Sequence, residues 1–347
     1  MQYFENSKIH NQFSLHKIGN KLNGEPLKLS KESLVASESL SKTLKHFFLT
    51  SFKSEEYFRF HHDISLSLNE VYTCVCKIFE NRNELQNQSL HLAKHLYNQS
   101  IHPKIKMGEF YVIYFRNCLL NGEELDAIGL FKSEKKDTFL EVLQNKDGFD
   151  IQSREGINTN KLDKGCLIFN SEKENGFILS IIDNTNNGNE AQYWKDDFLS
   201  VQPKKNEYHQ TNQFLGITKQ FVTKQLDEEF ELSKADKIDL LNRSVDYFKK
   251  HETFDKNEFE EEVFGESNVI ESFRKFDQAY RQENEVDLAD NFGISEQAVK
   301  KQARVFKSVL KLDKNFHIYI HGSRELIEQG TDENGRKYYK IYYENEA

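Results

Sequence analysis

Proline is almost missing from this chain, at 3 of 347 residues, and cysteine (4), methionine (2) and tryptophan (1) are nearly as scarce. With 30% charged residues and a mean hydropathy of -0.74, the composition is that of a folded chain with a charged surface, and the proline-rich, low-complexity class is excluded. Cys74, Cys76, Cys118 and Cys166 fall inside apolar stretches and match no disulfide framework. They are expected to be reduced core residues, which suits a cytoplasmic protein. Cys74-Val75-Cys76 has no second pair at zinc-site spacing. No run approaches the roughly 18 apolar residues of a membrane span, and the opening MQYFENSKIHNQF has no apolar signal core. Neither a phosphate-loop glycine pattern nor a nucleophile elbow occurs. Basic excess is missing as well. A net charge of -9 and a pI near 5.8 exclude a protein that coats DNA through its overall charge, so any nucleic-acid binding must be local.

What the chain does have is aromatic mass, 28 Phe and 15 Tyr. At about 150 residues per domain its length suits two domains, expected at 1–210 and 211–347. Ser30 is a candidate cap for a helix to about Phe52, with Leu34, Leu40, Leu44, Phe47, Phe48 and Phe52 as its buried face. Further helices are predicted over 69–79 and 84–97. From Gly108 the period becomes that of strands, with Tyr111 to Phe115 and Ile128 to Phe131 joined through Asn121-Gly122, both of which tolerate positive φ. Strands follow at 138–143, 165–169 and 177–182, with Asp147-Gly148 as a turn. No helices separate them, so the sheet is expected to be antiparallel and this part α+β. Helices return over 211–230, 234–250, 256–264 and 268–282, with Ser233 and Ser267 as candidate caps. Terminal strands are expected within 316–343.

Particular phrases run through this pattern: GEFYVIYF (108–115), LDAIGLFKSE (125–134), KLDKGCLIFN (161–170) and AQYW (191–194), with LHKIGNK (15–21) and LDKNFHIYIHG (312–322) near the ends. On these the chain resembles the bacterial NdpA-like nucleoid-associated protein family. The resemblance implies a soluble protein found with the bacterial chromosome. It states a location more firmly than a mechanism.

For mechanism, the segment EVDLADNFGISEQAVKKQAR (285–304) reads as a helix-turn-helix-like unit whose second helix continues to 311. Leu288 and Ala289 would pack its first helix, Gly293 would take positive φ in the turn, and Ser295 would cap the second helix. Ile294 and Val299 would hold the two together, while Gln302 departs from the usual apolar position. At about 100° per residue, Lys300, Arg304, Lys307 and Lys311 form one stripe, beside an apolar stripe of Val299, Ala303, Phe306 and Leu310. From 295 to 314 six bases (Lys300, Lys301, Arg304, Lys307, Lys311, Lys314) face two acids (Glu296, Asp313), giving +4 against -13 for the remainder. The site expected to meet DNA phosphates is therefore Lys300, Lys301, Arg304, Lys307 and Lys311. The bland alternative is an amphipathic helix with solvated lysines.

Other sites carry less. Asp126 with Glu134, Lys135 and Lys136 has the residue types of a metal-dependent nuclease, but on one strand the two carboxylates stand roughly 26 Å apart at about 3.3 Å per residue. Lys132, Lys135 and Lys136 are secondary phosphate-contact candidates. His91 with His95, and His317 with His321, share a face at helical and strand spacing, without a metal-binding pattern around them. Six acids between 255 and 266 read as a solvated helix face. The expected function is a non-enzymatic DNA-binding protein of the nucleoid, a homodimer on double-stranded DNA with RNA left open, needing no cofactor, metal or membrane. Two other classes stand beside it, an adaptor held by a chromosome-associated protein partner and a divalent-metal nuclease.

Overall fold

The computed structural model describes residues 7–185, 192–230, 232–306, 309–312, 314–320 and 324–345. The chain forms two compact units, Met1–Lys204 and Lys205–Ala347. None of the helices among the described residues is long and apolar enough to cross a membrane.

The first unit runs β1 (Lys8–Ile18), β2 (Leu34–Val35), α1 (Glu38–Leu49), β3 (Tyr57–Phe60), α2 (Glu70–Glu80), α3 (Leu85–Gln99), β4 (Gly108–Leu120), β5 (Glu123–Ser133), β6 (Asp137–Asn145), β7 (Gly148–Gly156), β8 (Lys164–Phe169), β9 (Ile178–Asp183) and β10 (Val201–Pro203). Eight of these strands make one antiparallel sheet in the order β10-β3-β9-β8-β5-β4-β1-β2, and β6 with β7 stands as a separate hairpin. Asn121 and Gly122 adopt φ 51° and 87° between β4 and β5, the tight turn their residue types favour. The central strands are apolar on both faces because both are covered. Phe110, Val112, Tyr114, Ile128 and Leu130 pack with Val75, Ile78 and Leu92 of α2 and α3. Tyr111, Ile113, Phe115 and Phe131 pack with Phe47 and Phe48 of α1. Gly129 makes room for that second layer, since a Cβ there would lie 2.3 Å from the Phe131 ring and 2.7 Å from Phe115.

The expected start of the first helix is corrected. Ser37, not Ser30, caps α1, accepting from the Leu40 amide. The Ser30 hydroxyl donates to the Leu15 carbonyl instead, and Leu34 and Val35 pair with β1, so residues 30–35 are not helical. Leu34 and Leu40 are exposed rather than buried. β7 carries few apolar residues and was not expected as a strand.

The second unit runs α4 (Glu207–Gln220), α5 (Leu226–Glu229), α6 (Lys234–Lys250), β11 (Thr253–Asp255), α7 (Lys256–Val263), α8 (Ser267–Glu283), β12 (Asn291–Gly293), α9 (Glu296–Ala303), β13 (Val309–Leu312), β14 (Phe316–Tyr319), β15 (Ile327–Thr331) and β16 (Lys337–Ile341). A π-helical turn at Phe221–Gln225 joins α4 to α5. Phe214, Phe221, Phe248, Phe254, Phe259 and Phe273 make the centre of its core. Ser233 caps α6 in a reciprocal capping box with Asp236, as its position suggested. Ser267 is corrected to the first helical residue of α8, with Glu266 at the cap position. Ala235 and Ile238 of α6 pack with Leu310, Ile320 and Ile327, which seats the terminal strands on that helix. The architecture is α+β with an antiparallel central sheet and β-hairpins at the end.

Candidate nucleic-acid interface

Ser295 begins the candidate surface as expected, its side chain accepting from the Ala298 amide at 3.3 Å. Its own amide donates to Thr211 of α4 at 3.1 Å, and Gln302 donates to Asn212 at 2.6 Å. The residue that departs from the expected apolar pattern is therefore one that fastens α9 to α4. Ala298 and Val299 are buried, which leaves Lys300 and Lys301 exposed. Lys300 lies 3.0 Å from Glu296, a solvated i,i+4 pair of small energetic weight. The Lys301 ammonium sits 5.5 Å from the centre of the Tyr208 ring. Arg304 is exposed at the C-cap, where a cation complements the carbonyl end of the helix.

The helix-turn-helix reading and the long stripe are corrected. Residues 284–290 are not helical, and Asn291–Gly293 pairs with β11. Gly293 does not take positive φ; a Cβ there would meet the Glu207 carboxylate at 2.4 Å. α9 ends at Ala303, so it has no room for a stripe reaching 311. Lys307 lies outside the described residues, as does His321. Lys311 is on β13, exposed, opposite His317 of β14. Alternation along this hairpin turns Leu310 and Ile318 toward α6 and leaves Lys311, His317 and Tyr319 on the solvent face. Lys314 in the connecting turn is exposed too.

The terminal strands also carry exposed aromatic side chains that the charge count missed. Tyr319 is 66% exposed, and Tyr338 and Tyr342 are also exposed. Tyr338, Lys340 and Tyr342 alternate onto one face, with the Lys340 ammonium 4.7 Å from the Tyr342 ring. The signal was present in the phrase KYYKIYY (337–343), where strand spacing places a cation between two aromatic rings on one face.

The family model described as nucleoid-associated protein YejK matches residues 14–336. This chain belongs to that family. YejK and NdpA denote one family, so the membership agrees with the resemblance carried by the central phrases. No curated protein matches the chain.

Within the part matched to the YejK family, the other candidates fall into place. Lys132 is corrected from a phosphate contact to a core residue. It is fully buried, donating to the Lys106 carbonyl at 2.8 Å, Glu134 at 2.9 Å and Tyr193 at 3.1 Å. Burial pushes its pKa down from the ordinary lysine value, against the pull of Glu134. Its neighbour across the sheet, Lys164, is likewise buried and held by Asp183 at 2.8 Å. Lys135 is exposed, and Lys136 pairs with Glu109 at 2.7 Å.

Asp126 accepts from Tyr114 and Arg82, each at 2.7 Å. β5 runs in unbroken register along β8 from Ala127 to Lys132, so no bend brings Asp126 to Glu134. His95 uses one ring nitrogen on Glu70 at 2.7 Å and the other on the Phe198 carbonyl at 3.0 Å. Burial raises the Cys74 thiol to about 11 and Cys118 to about 12, and puts Cys166 well above its ordinary value, as suits unreactive core thiols. Among the described residues, His251, Glu258 and Glu262 have donor atoms within 4.8 Å of one another. The carboxylates face opposite ring nitrogens, at 3.8 and 3.5 Å. An imidazole gives an ion one nitrogen, so this reads as a surface charge cluster rather than a ligand set.

Proposed function

We propose that this chain is a non-enzymatic binder of double-stranded DNA that acts as a homodimer. Its contacts are Lys300, Lys301 and Arg304 at the end of α9 with Lys311 and Lys314 of the next hairpin, and Lys135 is a secondary contact. What supports the reading is a run of exposed cations between 300 and 314 in a chain of net charge -9 that belongs to a nucleoid-associated family. Two copies let two weak sites act together. Phosphate contacts of this kind give salt-sensitive affinity with little sequence preference, at a logarithmic salt slope of about 0.9 per neutralised phosphate.

Reversing Lys300, Arg304 and Lys311 to Glu tests it in a gel shift on duplex DNA at two salt concentrations. The expected outcome is loss of retention with the fold intact by circular dichroism, and a salt slope for single variants lower by about one unit per lysine or arginine removed. Unchanged retention across the salt series sinks the proposal and leaves recruitment by a chromosome-associated protein as the better reading.

A further inference from the structure

Between β5 and β8 the chain leaves the main sheet as an arm, β6 and β7, paired in unbroken register from Asp137 opposite Gly156 to Asn145 opposite Gly148. From 137 to 155 every residue except Glu141 is exposed. The register sorts the side chains into two unlike faces. One carries Leu140, Val142, Phe149 and Ile151, exposed by 69, 60, 71 and 67%, because Val142 stands opposite Ile151, Leu140 opposite Ser153 and Gln144 opposite Phe149. The other carries Glu141, Asp150, Gln152 and Arg154 beside Phe139 and Leu143, with Arg154 2.6 Å from Glu141.

Charge is thus segregated along the arm. On the apolar face the neighbours are Thr138, Gln144 and Ser153, and the first charge is Glu155 near the base. A two-stranded ribbon uncovered in water is marginal, and four adjoining exposed apolar side chains mark a contact surface. The occupant must be a flat, apolar, uncharged face. A phosphate backbone finds no cation there, and a charged peptide finds no counter-charge among the four apolar side chains or their neighbours Thr138, Gln144 and Ser153. The same face of a second copy meets every requirement. It opposes no like charges across its centre, and it can pair about a two-fold axis in the face-to-face stacking that sheets adopt.

We propose that β6 and β7 form a dimerisation arm, with Leu140, Val142, Phe149 and Ile151 of one copy packed on the same four residues of another. The inference rests on the homodimer reading above and is independent of where DNA binds. Nine residues per strand make a face about 30 Å long and 10 Å wide, roughly 300 Å² per copy in projection. Standard interfaces bury about 800 Å² per partner, so the dimer is a weak one whose population follows protein concentration.

Sedimentation equilibrium of the full chain without DNA is the test, with Val142→Asp and Ile151→Asp on the apolar face and Gln152→Lys on the opposite face. The expected result is a concentration-dependent dimer for the native chain and Gln152→Lys, and a monomer at all concentrations for the other two. A native chain that stays monomeric overturns both the homodimer and the arm. A dimer that survives Ile151→Asp overturns the arm alone, and a dimer lost equally in Gln152→Lys does the same. Because charged substitutions can unfold the hairpin itself, a second measurement uses a short bis-maleimide. Ser153→Cys is expected to give a cross-linked dimer and Gln152→Cys none beyond the native chain; equal cross-linking at both positions counts against the arm.

Discussion

Two consecutive hairpins of the first unit, β4 with β5 and β6 with β7, are built on the same antiparallel pairing and differ in what covers them. In β4 the run Phe110 to Phe115 is buried at every position, since α1 covers one face of the sheet and α2 and α3 the other. In β6 and β7 the large side chains stand in solvent. Burial of the faces is therefore the stabilising term that β4 with β5 has and β6 with β7 lacks. The strongest way to break the comparison is to remove one ring from each hairpin. Phe131 stacks on Phe48 at 4.2 Å and meets Phe52 and Phe115 edge-on. Phe131→Ala is expected to cost about 3 to 5 kcal/mol in urea unfolding. Phe149→Ala, measured at concentrations where the chain is monomeric, is expected to change stability by less than about 0.5 kcal/mol. A large loss for Phe149→Ala would mean that the arm is covered within its own chain.

The covered region also makes its polar groups sensitive to pH. His16 of β1 is 2% exposed; its Nδ1 accepts from the Ser30 amide at 3.1 Å and its Nε2 faces the Ser89 hydroxyl at 2.9 Å. Burial brings its pKa from 6.5 to about 4, so the folded chain holds it neutral where the unfolded chain takes up a proton. Its contribution is complete above pH 6.5 and lost as pH falls through 4. About 2.5 pKa units correspond to about 3 kcal/mol at 1.36 per unit. Urea unfolding at pH 7 and pH 4 is expected to show that loss in the native chain and to lack it in His16→Gln. An equal loss in both would assign the acid sensitivity to other groups.

The same contrast explains what could be read from the sequence. FYVIYF was legible because burial on both faces writes a continuous apolar run, and Asn121-Gly122 and Ser233 because turns and caps are local chemistry. The end of α9 was not legible. Val299, Ala303, Phe306 and Leu310 fit a helical period, yet the second half of that segment pairs with residues 316–319, and a period cannot register a partner elsewhere in the chain. Lys132 failed for a related reason. FKSE reads as a strand end in solvent, and the partners that hold Lys132 as a buried cation include the Lys106 carbonyl, 26 residues earlier, and Tyr193, 61 residues later. Of the candidate surface, Lys300, Lys301 and Arg304 stand out in the sequence by local charge and are exposed, whereas the face that the tyrosines share depends on which side of each terminal strand meets α6.

The smallest expected effect sharpens the comparison most, because it concerns a charge pair in the uncovered hairpin. Glu141 and Arg154 are 2.6 Å apart with side chains 36% and 57% exposed. In water such a pair gains little Coulomb energy over its two hydrated ions and loses side-chain freedom. Glu141→Gln is expected to shift stability by less than about 0.5 kcal/mol and to leave the sedimentation dimer unchanged, since this face points away from the proposed contact. A double-mutant cycle with Arg154→Gln measures the coupling directly. Coupling well above 1 kcal/mol, or a dimer weakened by Glu141→Gln alone, would place the charged face under cover and reverse which side of the arm is the interface.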